Sequence, residues 1–232
     1  MSEQPPSSLD SILLLADLTS AEREQVAKLC RWRRYASGEQ IIDNQSDSRD
    51  VFFVVKGTVR VVNYSASGRE VAFNEVSEGG FFGELAAIDG APRSANVMAR
   101  EDTVTAALPP EAFIRVATTH PKLALAVMKS LTSLLRTATD RIMDLSTLGA
   151  NNRVHAEVLR LARAVAPEGS RAELKPIPHH SDIASRVSTT RETVARVFSD
   201  LTRSKIVKRE RDSLVILDMD QLEELVENVR NE

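Results

Sequence analysis

The sequence predicts an α+β protein with three parts in chain order: a β-roll, one long helix, and a small unit containing a winged helix-turn-helix. Short β-branched and aromatic runs, separated by turn residues, fill residues 38–108 and are typical of an antiparallel roll or barrel. An uninterrupted helix-forming run follows Pro121, and two short helical stretches only three residues apart come later. We therefore expect parts at residues 1–118, 119–148 and 149–232.

Composition limits the classes of protein that need to be considered. The 232 residues include 30 Lys+Arg and 33 Asp+Glu, with a net charge of −3 and 42% hydrophobic residues, as in a soluble globular chain of one or two domains. The single cysteine, Cys30, rules out an intramolecular disulfide, a Cys-rich zinc site and a four-Cys iron–sulfur centre. The opening MSEQPPSSLD lacks signal-peptide features, and no apolar run reaches the roughly 18 residues of a membrane span. We expect a cytoplasmic protein without a membrane partner.

The charge is distributed unevenly. Residues 151–213 hold 13 Lys+Arg against 8 Asp+Glu, whereas residues 214–232 hold 1 against 6. A local basic segment is enough for contacts with nucleic-acid phosphates, so the bulk balance does not exclude DNA.

The β-region contains six predicted strands. Residues 9–36 before it show helical spacing that ends in the basic run 31–34, which predicts short helices leading into the roll. Seven of the nine glycines lie between Gly38 and Gly90, where they suit turns or close approach to a ligand. The predicted strands are Gln40–Ile42, Val51–Val55, Thr58–Tyr64, Glu70–Val76, Ala95–Met98 and Thr103–Leu108.

The predicted long helix runs from Pro121 to about Ser146 and carries apolar residues at alternating spacings of three and four. This is the a/d seam of a coiled coil and favours a parallel homodimer, although a helix packed on its own domain would also be apolar on one side. The seam residues are Met128, Leu131, Leu135, Ala138, Ile142 and Leu145.

The C-terminal part begins at a predicted hinge, Gly149–Asn152. Helices are predicted over Arg153–Ala164, Ser181–Val187 and Arg191–Ser204. A small hairpin formed by Ile206–Val207 and Leu214–Leu217 would be the wing. An acidic segment, residues 221–232, either packs on the wing or contacts a partner.

Residues 81–97 combine three features that anion binding requires. Gly83 permits close approach of the backbone, Glu84–Ile88 can begin a short helix with free N–H groups, and Arg93 supplies a planar fork of donors. An arginine after a turn is also commonly a solvated surface charge.

The segment resembles the cyclic-nucleotide-binding domain, whose phosphate cassette reads Gly-Glu-Leu and then Arg-Ser/Thr-Ala. Here these are Gly83-Glu84-Leu85 and Arg93-Ser94-Ala95. The resemblance implies that Arg93 and Ser94 hold a cyclic phosphate, that backbone after Gly83 donates to it, and that Glu84 accepts from the ribose 2′-OH.

The second motif lies at the start of Arg191–Ser204, the second of the two closely spaced predicted helices. Val194, Val197, Phe198 and Leu201 form its apolar stripe, and Glu192, Arg196, Ser199 and Arg203 fall on the opposite face. Without further context, this pattern also fits an exposed helix with a Glu192–Arg196 pair.

The segment Thr190–Arg196 resembles the DNA-binding motif Ser/Thr-Arg-Glu-Thr-Val-x-Arg of the cyclic AMP receptor protein family. The resemblance implies that Arg191 and Arg196 donate to guanine and that Glu192 accepts from cytosine, which agrees with the preferences of these side chains. Ser188 and His179 stand where the family usually has Gly and Thr.

Roll, long helix, hinge and helix-turn-helix follow the order of that family over nearly the whole chain. The resemblance implies a homodimeric transcription regulator, not an enzyme, that binds a palindrome of TGTGA type, is activated by cyclic AMP or cyclic GMP, and contacts RNA polymerase. In relatives two long-helix side chains touch the purine. At the equivalent positions Thr139 could keep one such contact, whereas Ala138 has no hydrogen-bonding side chain. Neither an iron–sulfur cluster nor haem is expected, since Cys30 is the single cysteine and His120 is the only other candidate axial ligand in the sensor half.

Two alternatives stay open at this point. A regulator of the same fold that does not depend on a cyclic nucleotide would keep the helix-turn-helix but have a degenerate cassette. A cyclic-nucleotide-binding module that does not bind DNA would keep the cassette but lack Thr190–Arg196.

Overall fold

The computed structural model describes residues 8–230, with side chains described to residue 227. The described residues form two compact units, which divide between Ser133 and Leu134. Residues 1–7, on which part of the signal-peptide argument depends, and residues 231–232 of the acidic tail lie outside the described residues. Within the described range, no helix combines the length and apolar character needed to cross a membrane. The three predicted domain boundaries stay predictions.

The first unit is a β-roll of two four-stranded antiparallel sheets with the orders β1-β8-β3-β6 and β2-β7-β4-β5. The strands are β1 (Arg31–Tyr35), β2 (Gln40–Ile42), β3 (Val51–Lys56), β4 (Thr58–Tyr64), β5 (Glu70–Ser77), β6 (Phe81–Phe82), β7 (Asn96–Ala99) and β8 (Thr103–Leu108).

Strand β3 shows how the roll is held together. Its first five residues are all buried. Successive side chains point to opposite faces of a strand. Val51 and Phe53 therefore pack with residues of the N-terminal helices, while Phe52 and Val54 pack with residues of β6 and β7. The predicted roll is confirmed, and each of the six predicted strands is present to within about a residue at its ends.

Helices cover one side of the roll. They are a 3-10 turn (Leu13–Leu15), α1 (Ser20–Leu29), α2 (Glu84–Asp89), α3 (Pro110–Thr119) and the start of α4 (Pro121–Thr147). Thr19 and Glu22 form a capping box that fixes the start of α1.

The basic run before the roll differs from its prediction. Instead of ending a helical region, Arg31–Tyr35 forms strand β1 and pairs antiparallel with β8, with Arg31 opposite Ala107 and Tyr35 opposite Thr103. Arg31 and Arg33 extend into solvent while Tyr35 is buried, so the charged side chains cost the strand little. Strand β6 and helix α3 were not predicted.

Helix α4 confirms the predicted long helix. Its seam is exposed over most of its length in the single chain: 56% of Met128, 67% of Leu135, 63% of Ile142 and 49% of Leu145. Leu131 is the exception, because it packs partly against the core of the first unit.

The second unit contains a helical core and a three-stranded antiparallel sheet with the order β10-β11-β9. After the end of α4, its elements are α5 (Ala150–Val165), β9 (Ala172–Leu174), α6 (His180–Arg186), α7 (Arg191–Arg203), β10 (Val207–Arg209), β11 (Leu214–Ile216) and α8 (Met219–Arg230). The predicted hairpin is present as β10 and β11, and β9 adds a third strand that was not predicted.

The hinge is shorter than predicted. Gly149 is the extended N-cap of α5, and residues 150–152 already belong to the first turn of that helix. Leu148 is 4% exposed and packs against Ala156 and Val226, so α8 covers the junction between α4 and α5. Helix α5 begins earlier than predicted because of two hydrogen bonds from Arg153. Its side chain donates to the carbonyl of Leu148, and its backbone N–H donates to the carbonyl of Gly149.

Candidate functional site

The backbone around Gly83 forms a tight passage from β6 into α2. Gly83 has φ of +84°, in the left-handed region, and caps the N-terminus of α2. A Cβ atom there would lie 2.8 Å from Nη1 of Arg93 and 2.9 Å from the carbonyl oxygen of Asp50. Only glycine therefore lets the backbone turn this closely against Arg93.

Arg93 returns from the following loop to this turn. Only 6% of the residue is exposed. Its Nη1 donates to the carbonyl of Gly83 at 2.9 Å, and its Nη2 donates to the carbonyl of Asp50 at 2.8 Å and to Oγ of Ser48 at 3.2 Å. The guanidinium also lies 5.7 Å from the ring centre of Phe52. The predicted fork is present and is directed at protein acceptors.

Glu84 and Arg93 influence each other's ionisation. Burial raises the pKa of Glu84, and the charge of Arg93 opposes that rise. Burial also lowers the pKa of Arg93, while Asp50 and Glu84 oppose the change. The cassette therefore keeps a buried cation supported by neighbouring carboxylates. Because charge-assisted bonds to phosphate are stronger than bonds to neutral carbonyls, a phosphate can compete for the donors of Arg93.

The remaining predicted ligand residues differ in their surroundings. Leu85 is half-buried and Ser94 is exposed. The carbonyl of Ser94 accepts a hydrogen bond from Nδ2 of Asn63 at 3.1 Å. Thr139 is an exposed residue of α4 in the second unit, and its hydroxyl donates to the carbonyl of Leu135 at 3.0 Å. Its contact with a purine stays a prediction.

A cluster of amides beside Ser94 was not predicted. Asn96 is 7% exposed, and its Oδ1 accepts from Nε2 of Gln40 and from the N–H of Asn44, both at 3.1 Å. Its Nδ2 donates to Oδ1 of Asn63 at 3.3 Å. The sequence feature that could have indicated this cluster is Asn96, an amide in the otherwise apolar run Ala95–Met98. The cluster fixes the backbone at the Ser94 end of the cassette.

The two side chains considered as haem ligands are engaged within the first unit. Burial raises the pKa of Cys30 to about 12, and its thiol donates to the carbonyl of Val26 at 3.3 Å. Nε2 of His120 lies 3.2 Å from a carboxylate oxygen of Glu22. The hydrogen bond to Glu22 is the main cause of the raised pKa of His120.

The second candidate surface is the helix-turn-helix formed by α6 and α7. Thr190 caps α7 by accepting a hydrogen bond from the N–H of Thr193 at 3.2 Å. Arg191, Glu192 and Arg196 are all exposed on α7. Hydrogen bonds from its own N–H and from Thr190 lower the pKa of Glu192, which keeps it a charged acceptor. The predicted buried stripe is confirmed for Val194, Val197, Phe198 and Leu201.

The two departures from the family's motif have local consequences. His179 is the N-cap of α6 but makes no capping hydrogen bond through its side chain. Ser188 adopts φ of +52°, the left-handed conformation that glycine accepts most easily. Its carbonyl and that of Val187 accept from Arg153, at 3.3 and 2.9 Å, so α5 supports the turn.

Ser188→Gly is expected to stabilise the second unit by about 0.5–1 kcal/mol, because it relieves left-handed strain and retains both carbonyl contacts of Arg153. Thermal denaturation followed by circular dichroism measures the change. Ser185→Gly, in the regular helix α6, is the matched control and should destabilise. A lower melting temperature for Ser188→Gly would contradict the assignment of strain.

Two family models match the chain. The cyclic nucleotide-binding domain matches residues 32–120, and the Crp-like helix-turn-helix domain matches residues 152–225. The first match contains the cassette, and the second contains α6 and α7.

Whole-chain similarities extend across both units. The "Cyclic AMP receptor protein" of Thermus thermophilus is 30% identical over 194 residues, which cover 83% of this chain and 87% of that protein. The "cAMP-activated global transcriptional regulator CRP" of Salmonella typhimurium is 22% identical over 192 residues, covering 81% and 90%. A solved mutant of CooA from Carboxydothermus hydrogenoformans has a TM-score of 0.80 at 24% identity, covering 94% of this chain and 96% of that one, and at this identity it shows the fold alone.

Proposed function

Because the chain belongs to the cyclic AMP receptor protein family of transcription regulators, we propose that it is a homodimer whose binding to a palindromic DNA site is controlled by a cyclic nucleotide. One observation carries the proposal: the same chain contains both a buried cassette arginine and an exposed arginine-rich face on α7. In the cassette, Nη1 of Arg93 donates to the carbonyl of Gly83 at 2.9 Å.

The proposed ligand site is the cassette. Arg93 and Ser94 would hold the cyclic phosphate, backbone after Gly83 would donate to it, Leu85 would line the site, and Glu84 would accept from the ribose 2′-OH. Arg93 would exchange a carbonyl acceptor for a phosphate oxygen, which is favourable because the new bond joins two charged groups.

The base is recognised less strictly in this proposal than the phosphate. Thr139 carries a hydroxyl, whereas neighbouring Ala138 has no polar side-chain atom. A missing hydrogen-bond partner weakens the penalty against the wrong base. Cyclic AMP is the first choice, and cyclic GMP is the second.

The exposed seam of α4 supports the dimer. A strip of large apolar side chains, from Met128 to Leu145, is costly to leave in water and is typical of an interface. A parallel coiled coil would bury it and relate the two second units by a two-fold axis. Two recognition helices would then contact half-sites about 34 Å apart, one turn of DNA.

The α7 side chains would read each half-site. Arg191 and Arg196 suit the acceptors of guanine, and Glu192 suits the amino group of cytosine, so the proposed target is a TGTGA-type inverted repeat. The cations of the basic segment, including Lys205 and Lys208, would contact phosphates without reading sequence. RNA polymerase is the proposed protein partner at the promoter.

Arg191→Ala is expected to weaken binding to the palindrome by about 1–3 kcal/mol per half-site and to reduce discrimination against a scrambled sequence. Fluorescence anisotropy with labelled duplexes measures both affinities. Lys208→Ala, on the wing, is the control and should weaken both duplexes equally. Equal losses on both duplexes for Arg191→Ala would contradict base readout by this residue.

One observation favours the alternative of a regulator that needs no cyclic nucleotide. The Arg93 donors already bind Gly83, Asp50 and Ser48, as they would in a cassette that serves only to brace the roll. Binding of cyclic nucleotides by the wild-type chain in isothermal titration calorimetry distinguishes the two, because a braced cassette would give no heat of binding. The match to the Crp-like helix-turn-helix domain speaks against a module that does not bind DNA.

A further inference from the structure

A buried carboxylate lies in the second unit, outside both proposed binding surfaces. The side chain of Glu157 on α5 is 3% exposed. Its oxygens accept from Nε and Nη2 of Arg160 at 2.8 and 2.6 Å, and one of them also accepts from Nη1 of Arg186 at 3.3 Å. Arg186 belongs to α6, the first helix of the helix-turn-helix. Glu157 therefore connects α5 to the DNA-binding motif.

A third guanidinium approaches the same carboxylate from α4. Arg141 and Glu157 line one small cavity of about 40 Å³, together with Arg160 and Arg186. Burial lowers the pKa of Arg141, and Glu157 is the charge that most opposes this change. Asp140 and Asp144 of α4 also line the cavity. The end of the long helix thus meets a shared ion cluster.

The same turns of α4 carry the exposed seam. Arg141 directly precedes the seam residue Ile142, so their side chains point about 100° apart around the helix. Leu135 and Ile142 do not line the cavity and remain exposed, whereas the last seam residue, Leu145, is 49% exposed and does line it. Most of the seam is therefore free for a second copy of the chain, and its C-terminal end meets the ion cluster at Leu145.

The geometry points to a charge relay: Arg141, Glu157 and Arg186 transmit movement of the long helix to the helix-turn-helix. The inference rests on the proposed function, because it names the positioning residues that connect ligand-driven changes in the seam to DNA binding. A buried carboxylate cannot part from its cations without a large electrostatic cost, so a displacement of α4 at Arg141 also displaces Glu157 and the α6 residue bound to it.

The backbone supports the same path. Arg153 of α5 donates to the carbonyls of Leu148, at the end of α4, and of Val187, in the turn before α7, at 2.8 and 2.9 Å. The junction and the turn are thereby joined through one side chain. The relay and Arg153 couple α4 to α6 and α7 within one unit.

Arg141→Met tests the relay and leaves Glu157 paired with Arg160 and Arg186, so the core keeps its charge compensation. Arg136→Met removes the same charge from an exposed position of the same helix and does not touch the cavity. The readout is the ratio of DNA dissociation constants without and with cyclic AMP. We expect Arg141→Met to reduce this ratio by roughly 2- to 30-fold, with unchanged nucleotide affinity in calorimetry, and Arg136→Met to leave it unchanged.

A second readout needs no nucleotide. Hydrogen exchange on the full-length protein should show faster exchange of the amides of α6 in Arg141→Met, by roughly 2- to 30-fold, and no change in Arg136→Met. Unchanged exchange in α6 would overturn the relay, as would a ratio equal to that of the control. If neither cyclic nucleotide changes the DNA affinity of the wild-type protein, the proposed function is contradicted instead. The hydrogen-exchange experiment would still decide whether the relay exists.

Discussion

Arg93→Ala is expected to abolish the response to cyclic nucleotides. We expect the affinity for the nucleotide to fall at least about 30-fold, or roughly 2 kcal/mol or more, because the substitution removes one partner of a buried charged contact. The variant loses the only cassette guanidinium, and a lysine cannot replace it because an ammonium lacks the planar fork. Calorimetry of Arg93→Ala and Arg93→Lys with cyclic AMP measures the loss. We expect both variants to show this loss of affinity for cyclic AMP.

The fold controls for this experiment follow from the same contacts. Arg93 ties the carbonyls of Gly83 and Asp50 together, so its removal should lower the melting temperature of the first unit. DNA binding without nucleotide should persist, because α6 and α7 belong to the other unit. Arg69→Ala, an exposed arginine of the β4–β5 turn, should bind nucleotide normally. Wild-type nucleotide affinity in Arg93→Ala would refute the proposed role of the cassette.

Leu135→Glu is expected to convert the protein into a monomer and to reduce affinity for the palindrome by roughly 10²- to 10⁴-fold, because a monomer loses the second half-site. Leu135 is 67% exposed in the single chain, so the substitution should leave the two units folded. In a parallel seam, two glutamates would face each other at an apolar position. Analytical ultracentrifugation and anisotropy on the palindrome measure the two effects.

Lys129→Glu is the matched control for the seam, since Lys129 is exposed on α4 next to the seam residue Met128. Lys129→Glu introduces the same acidic residue outside the proposed interface, so this variant should remain dimeric. A dimeric Leu135→Glu protein with unimpaired affinity for the palindrome would show that α4 does not carry the dimer interface.

Regular periodicity explains which parts of the fold were predictable. Thr58–Tyr64 and Thr103–Leu108 are present with their predicted bounds, because β-branched residues between turns leave little choice. Strand β1 was missed because three of its five residues are arginines, and its conformation is fixed by pairing with the buried strand β8. Helix α5 begins earlier than expected because tertiary contacts of Arg153 and Leu148 extend it.

The sequence predicted which residues belong to the candidate site better than it predicted which residues they contact. Gly83, Arg93 and the α7 face were named from their motifs and occupy the expected elements. The partners of Arg93 were not, because Ser48 and Asp50 lie more than forty residues away in sequence. The Glu157 cluster was equally hidden, since its arginines come from three different helices.

The most direct measurement is the affinity of the wild-type protein for a TGTGA-type inverted repeat in three conditions: without ligand, with cyclic AMP and with cyclic GMP. Anisotropy titrations at fixed salt concentration give comparable constants, because phosphate contacts make binding salt-dependent. We expect at least one nucleotide to tighten binding by about 5- to 150-fold. Equal affinity in all three conditions would contradict control by a cyclic nucleotide.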